Sequence, residues 1–269
     1  MKIEDFISAE WVDPISLSRK YMAATPFEHI KLSNFIRSDV LESVAKEFPD
    51  LAKVGGDAIQ HSNGREVKYA SKGMSPLSPS ALKLVSFLNS DVFLEYLQKL
   101  TGINETLISD PYLAGGGYHE IKPGGFLKIH ADFNKHPIID LDRRLNLILY
   151  LNKNWDPRWG GGLELYDQDM SEPKVTVVPD FNTAILFSTR SDTFHGHPDA
   201  LACPEERSRR SLALYYFSAG RPEDEINETH STVFKERAED NFAKSLMLRN
   251  FIREITPPIL LKAIKKWKK

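Results

Sequence analysis

Apolar and polar positions change rhythm along this chain. Over roughly the first hundred residues apolar side chains recur at three- and four-residue intervals, the spacing of helices with one buried face. In "SDVLESVAKEF" (38–48), Val40, Leu41, Val44 and Phe48 fall on one face, with Ser38 as the N-cap. "SPSALKLVSFLNSDVFLEYLQKLTG" (78–102) predicts one helix, or two broken near Asn89-Ser90, ending at Gly102. One early strand, "FEHIKL" (27–32), interrupts this helical part.

Near Pro111 the texture becomes that of strands. "YLAGGGYHEI", "FLKIH", "LNLILYLN", "GLELYD", "KVTVVP", "TAILFS" and "SLALYYFS" follow one another, separated by turn residues. Eight of the 15 glycines fall between residues 115 and 162, which suits tight turns in a compact all-β unit rather than βαβ repeats. The runs Gly115–117 and Gly160–162 lack P-loop spacing and read as turns and bulges. "RPEDEINE" (221–228) reads as a solvated extension leaving the core. In "PILLKAIKKWKK", Leu260, Ala263, Ile264 and Trp267 would form an apolar stripe beside Lys262, Lys265, Lys266 and Lys269. The expected organisation is a single catalytic domain over 1–220, with helical support and the early strand in 1–105 and the β core in 106–220. A charged extension and amphipathic helix fill 221–269.

Charge narrows the partners. The 35 Lys and Arg against 37 Asp and Glu leave a net charge of -2, a balance that does not call for nucleic acid. The single Cys203 suits a reducing compartment, and a cytoplasmic protein is expected. No apolar run approaches the length of a transmembrane helix. The basic tail offers peripheral contact with an anionic membrane surface as an alternative to packing on the domain.

The candidate chemistry starts with "FLKIHADFN" (126–134). Residues two apart on a strand face the same way, so His130 and Asp132 can present an imidazole and a carboxylate to one ion. "FHGHPDAL" (194–201) offers His195 or His197 as a third ligand. Two histidines and a carboxylate on one face of a metal are the set associated with non-haem Fe(II) oxygenases, with positions left open for co-substrate and O2. A dicarboxylate such as 2-oxoglutarate would need a cation for its far end, and arginine's planar fork suits it. Strand parity selects Arg209, which shares a face with Ser211, Ala213 and Tyr215, over Arg210, whose face carries leucines. In "LNLILYLN" the leucines at 145, 147, 149 and 151 line one face, while Asn146, Ile148 and Tyr150 line the other, so the Tyr150 hydroxyl can reach the same carboxylate.

His130-x-Asp132, His195 and "RRSLALYYF" (209–217) resemble the prolyl 4-hydroxylase-like branch of the Fe(II)/2-oxoglutarate dioxygenases, and "ILYLNKNWDPRWGGGLELYD" (148–167) is similar to that branch's strand–loop–strand. The likeness covers roughly 110–220. It implies a mainly β fold with supporting helices, a double-stranded β-helix or jelly-roll (cupin-like) barrel. It also implies Fe(II) on His130, Asp132 and His195, 2-oxoglutarate on Arg209 and Tyr150, and ascorbate as reductant. The distal histidine falls on His195 because "HGHPDAL" resembles the family pattern there. The implied reaction hydroxylates an unactivated C–H bond with O2 while 2-oxoglutarate becomes succinate and CO2. The substrate would be a peptidyl proline or a small molecule, with Tyr118, His119, Asn134 and Arg143 as candidate contacts around the mouth. Two other readings stand beside this one: a cupin-type metal enzyme that does not use 2-oxoglutarate, and a non-catalytic jelly-roll that binds a ligand.

Overall fold

The computed structural model describes residues 1–237 and 240. Met1–Lys235 form one compact unit. The second unit, Glu236–Lys269, lies almost wholly outside the described residues, and with it the amphipathic helix expected at the C-terminus. Among the described residues no helix is long and apolar enough to cross a membrane.

In chain order the strands are β1 (His29–Ser33), β2 (Ala58–Ser62), β3 (Glu66–Ser71), β4 (Ile108–Ser109), β5 (Gly117–Ile121), β6 (Phe126–Ala131), β7 (Asp142–Tyr150), β8 (Leu163–Tyr166), β9 (Val175–Val177), β10 (Thr183–Ser188), β11 (Phe194–His197), β12 (Arg209–Ser218) and β13 (Val233–Phe234). The helices are α1 (Pro14–Met22), α2 (Ser38–Lys46), α3 (Pro79–Leu88) and α4 (Asp91–Thr101). Strands β1-β10-β7-β12-β5 make a larger sheet and β6-β11-β8-β9 a smaller one. Strand β3 joins them, pairing with β5 through Tyr69 and Ala70 and with β6 through Glu66 and Val67. The ladders are antiparallel, and the result is the nearly closed double-stranded β-helix barrel that the sequence resemblance implies.

Parity along β7 and β12 divides inside from outside. Leu145, Leu147, Leu149 and Leu151 join Leu212, Leu214 and Tyr216 in one buried cluster with Leu41, Val44, Leu84, Leu88 and Leu97 from the helices. The helices thus cover the outer face of the larger sheet. The inner face carries Tyr150, which packs with Ile185, Phe187, Leu163 and Leu165 between the two sheets. Two helices, broken at Asn89-Ser90, replace the single-helix alternative. The outer ends of the pair are capped: the Ser78 hydroxyl accepts from the Ala81 amide at the start of α3, and Gly102 ends α4 at φ 74°.

Three expectations change. Ser38 is the first helical residue of α2 rather than its N-cap; Arg37 takes the cap position and makes no side-chain cap bond. The early part contains the β2–β3 hairpin besides the one strand expected. Its Asn63-Gly64 turn is a hairpin signal, with the Asn63 side chain accepting from the amides of Arg65 and Glu66. Residues 221–235 return to the barrel instead of leaving it. Asn134 donates to the Glu228 carbonyl and accepts from the His230 amide, and β13 pairs with β6 opposite Ala131 and His130.

Leu147 is 1% exposed within the cluster that the helices cover. Leu147→Ala should lower the unfolding free energy by about 2–5 kcal/mol, read from urea denaturation with an unchanged slope.

Candidate active site

The site begins with one register. His195 on β11 stands directly opposite His130 on β6, and Asp132 follows immediately after β6 ends. The two imidazoles face each other with ring centroids 4.5 Å apart. His130 Nδ1 donates to the Lys128 carbonyl at 2.8 Å, and His195 Nδ1 donates to the Thr193 carbonyl at 3.1 Å. Those backbone bonds place the ring protons on Nδ1 and turn both Nε2 atoms toward the carboxylate. His130 Nε2 lies 3.6 Å from Asp132 Oδ1, and His195 Nε2 lies 3.3 Å from Oδ2. One ligand atom from each of the three residues falls within 4.8 Å of the others, the shape of a donor set that accepts a cation. His197 is not in this cluster.

Asp132 is held from behind. Its Oδ2 accepts from Arg143 Nη2 at 3.0 Å and from Asn146 Nδ2 at 2.7 Å. The Arg143 guanidinium, itself fully buried, lies between two rings, 3.5 Å from the Tyr215 centroid and 4.3 Å from that of Phe133. Burial alone would push the Asp132 carboxyl up, but Arg143, His195 and His130 outweigh it and hold the group well below the usual carboxylate range. Burial, with His195 second, pulls His130 below its ordinary value. Both residues therefore present lone pairs at neutral pH.

Arg209 lies elsewhere in the same interior, 5% exposed. Its Nε donates to the Gly161 carbonyl at 2.7 Å and its Nη2 to the Tyr150 hydroxyl at 3.1 Å. No carboxylate of the described residues pairs with it, and burial lowers its pKa. A charge taken out of water without a counter-ion is costly, so this guanidinium is poised for an anion from outside the chain. Gly161 makes the approach possible. At φ 73° it sits where a Cβ would meet Leu201 Cδ2 at 2.6 Å and Arg209 Cδ at 3.0 Å. The triple glycine is a turn, as expected, and it also holds the arginine. Arg210, on the other face, is half-buried against Glu120 and Ser208.

A cleft of about 400 Å³ opens beside His130 and Asp132. One wall is the inner face of the β2–β3 hairpin, where Glu66 binds His61 at 3.1 Å and Lys68 at 3.0 Å. Tyr112, Tyr215 and Phe234 supply an aromatic part of the lining. Phe234 also packs against the His130 ring at 5.5 Å.

The four residues expected around the mouth have other tasks. Tyr118 is fully buried on the helix side, against Phe48 and the Ser78 hydroxyl, because it alternates outward on β5. Asn134 clamps the 228–230 segment, and Arg143 holds Asp132. His119 does face the interior, in register with Ser211 and Ala70, and donates from Nε2 to the Gly115 carbonyl. Burial, then Lys68, drops its pKa to about 3. Sequence reasoning missed Asn146, although parity had put it on the face of Tyr150. It also missed the hairpin wall, whose Asn-Gly turn was the available signal.

The barrel thus combines a His-Asp-His cluster suited to a single metal ion with a buried arginine that no described carboxylate pairs. Residues 116–217 match the sequence model of the 2OG-Fe(II) oxygenase superfamily. The prolyl 3-hydroxylase OGFOD1 of Mus musculus is 30% identical over 200 residues, 71% of this chain. The chain spans only 33% of that relative's length. The fold is similar to a Pseudomonas putida prolyl-4-hydroxylase at TM-score 0.56 and 16% identity, covering 77% of this chain and 100% of that one. It is also similar to a Trichoplax adhaerens prolyl hydroxylase in complex with a hypoxia inducible factor peptide fragment, at TM-score 0.55 and 19% identity, covering 76% and 89%.

Arg143→Leu should weaken Mn(II) binding by about 10–100-fold in calorimetric titration, the usual effect of removing a group that orients a ligand. The hairpin wall gives a pH test. Burial raises the Glu66 carboxyl, but His61 and Lys68 prevail and lower it from 4.5 to about 2. Its share of stability is complete above pH 4.5 and disappears as pH falls through 2. Glu66→Gln should therefore reduce the acid-side slope of stability in that window, read by thermal unfolding across pH.

Proposed function

We propose that this chain is an Fe(II)- and 2-oxoglutarate-dependent hydroxylase acting on a prolyl residue in a protein or peptide. His130, Asp132 and His195 would hold the metal, and Arg209 with Tyr150 would hold the far carboxylate of the diacid. The observation that carries the reading is the buried, acid-free guanidinium of Arg209 in the same barrel interior as three converging metal-ligand atoms. A cupin-type enzyme without 2-oxoglutarate leaves that charge unexplained.

The donor set fits Fe(II): two imidazole nitrogens and one carboxylate oxygen converge within 4.8 Å of one another. When bound, Fe(II) with 2-oxoglutarate supplies the O2-dependent oxidation, giving succinate, CO2 and a hydroxylated C–H bond. The chain's own residues do the rest. The Lys128 and Thr193 carbonyls fix the two imidazoles. Arg143 and Asn146 fix the carboxylate. Arg209 and Tyr150 fix the length of acid that fits, because the fork sits at a set position on β12. Phe234 packs on the His130 ring and, with Tyr112 and Tyr215, gives the cleft an apolar lining beside the ligands. A prolyl substrate is supported by the named activities of the relatives and by an open cleft with one polar and one aromatic wall. Ascorbate as reductant and a cytoplasmic setting, which the single buried Cys203 suits, belong to the same reading.

Purified anaerobically and supplied with Fe(II), ascorbate and 2-oxoglutarate, the protein should release succinate slowly, and faster with a prolyl peptide that gains about 16 Da, the mass of one oxygen atom. Asp132→Ala should abolish both signals. Metal and 2-oxoglutarate bound without turnover would instead make the barrel a binding module. Arg209→Ala should raise the KM for 2-oxoglutarate by about two orders of magnitude, since removing a charged partner from a buried carboxylate costs about 3 kcal/mol.

A further inference from the structure

Both ring nitrogens of His197 are buried with no hydrogen-bond partner. The residue is 3% exposed and stands two positions after His195, on the same inward face of β11. The ladder shift between these positions places His197 opposite Leu127 and His195 opposite His130, so the extra residue lies on β6 and the alternation along β11 is kept. Buried polar groups are almost always paired, and an imidazole carries at least one N–H that needs an acceptor. Here the protein supplies none.

Its location narrows what can. His197 is within electrostatic reach of Arg209, Lys68 and His130. It does not line the open cleft beside His130 and Asp132, and neither do Arg209 and Tyr150. His197 thus lies in the barrel interior near Arg209 and not in the entrance cleft. Under the co-substrate reading, a diacid reaching from the metal ligands to Arg209 would cross this part of the interior, the co-substrate chamber.

We propose that His197 is a direct contact to the bound 2-oxoglutarate, donating a ring N–H to one of its oxygens between the metal cluster and Arg209. The inference rests on the co-substrate reading above. It makes the chamber selective in a way an apolar side chain would not: a ligand that offers no oxygen at this depth leaves the imidazole bare, and a desolvated unpaired group is a penalty against that ligand.

The test uses the full-length protein. With Mn(II) bound, His197→Leu should bind 2-oxoglutarate about tenfold or more weakly by calorimetry, the range for losing a hydrogen bond to a charged acceptor. Mn(II) affinity should stay within about twofold, because His197 is outside the metal cluster. His197→Asn, which keeps an N–H donor, should recover part of the loss. In wild-type protein labelled at histidine nitrogen and loaded with diamagnetic Zn(II), 2-oxoglutarate should shift the His197 ring resonances and slow its N–H exchange. That second measurement decides the matter should the leucine variant misfold. Unchanged affinity in His197→Leu, or His197 signals that ignore the diacid, overturns the proposal while leaving the co-substrate reading intact. Failure of wild-type protein with Mn(II) to bind 2-oxoglutarate overturns both.

Discussion

The direct opposition of His130 and His195 across the β6–β11 ladder is the constraint on which the site depends. Side chains on a strand alternate, so a slip of one residue would send one imidazole to the far side of the smaller sheet. The register is held on both flanks. β11 is also paired to β8, and β6 to β3 and β13, so neither histidine strand is an edge. Once the two rings face each other, Asp132 needs only the two-residue step past His130 to complete the set. The carbonyls of Lys128 and Thr193, each two residues before its histidine, settle which nitrogen points inward.

Two buried arginines divide the electrostatics of the interior. Arg143 is neutralised within the chain: it meets Asp132, shares Asn146, and lies between the rings of Tyr215 and Phe133. Arg209 meets only a carbonyl and a phenol. Both are near-absent from solvent, yet one stabilises the folded protein and the other leaves a positive potential that a ligand must answer. The difference follows from strand position. Arg143 is near the start of β7, within reach of the loop after β6, while Arg209 opens β12 beside the glycine turn that leads into β8.

Much of this was legible because antiparallel strands convert sequence parity into geometry. The leucines of β7, the choice of Arg209 over Arg210 and the partnership of Tyr150 all follow from counting by two. Local periodicity says nothing about which distant strand lies alongside, so the contacts that depend on pairing were not readable. Arg143 was expected at the mouth, yet the Asp132 it serves arrives from β6. Tyr118 was expected there with His119, although neighbours on a strand face opposite ways. The β2–β3 hairpin was hidden by its mixed composition: His61, Glu66 and Lys68 break the apolar alternation because they line a polar wall. The return of residues 228–234 is made by the Asn134 clamp, the Ser191–His230 hydrogen bond, the Phe234 ring and a two-residue strand, too little local pattern to see in advance.

Strand β3 closes the barrel with two residue pairs to β5 and two to β6, whereas β7 and β12 are laced by eight. The wall is therefore weakest along the seam beside the cleft and strongest where the leucines meet the helices. Thermal breathing concentrates where ladders are short and apolar contacts few. A bulky guest can thus prise this seam apart while the histidine pair and the leucine-packed sheet keep their spacing, which gives the molecule a compliant doorway on a stiff frame.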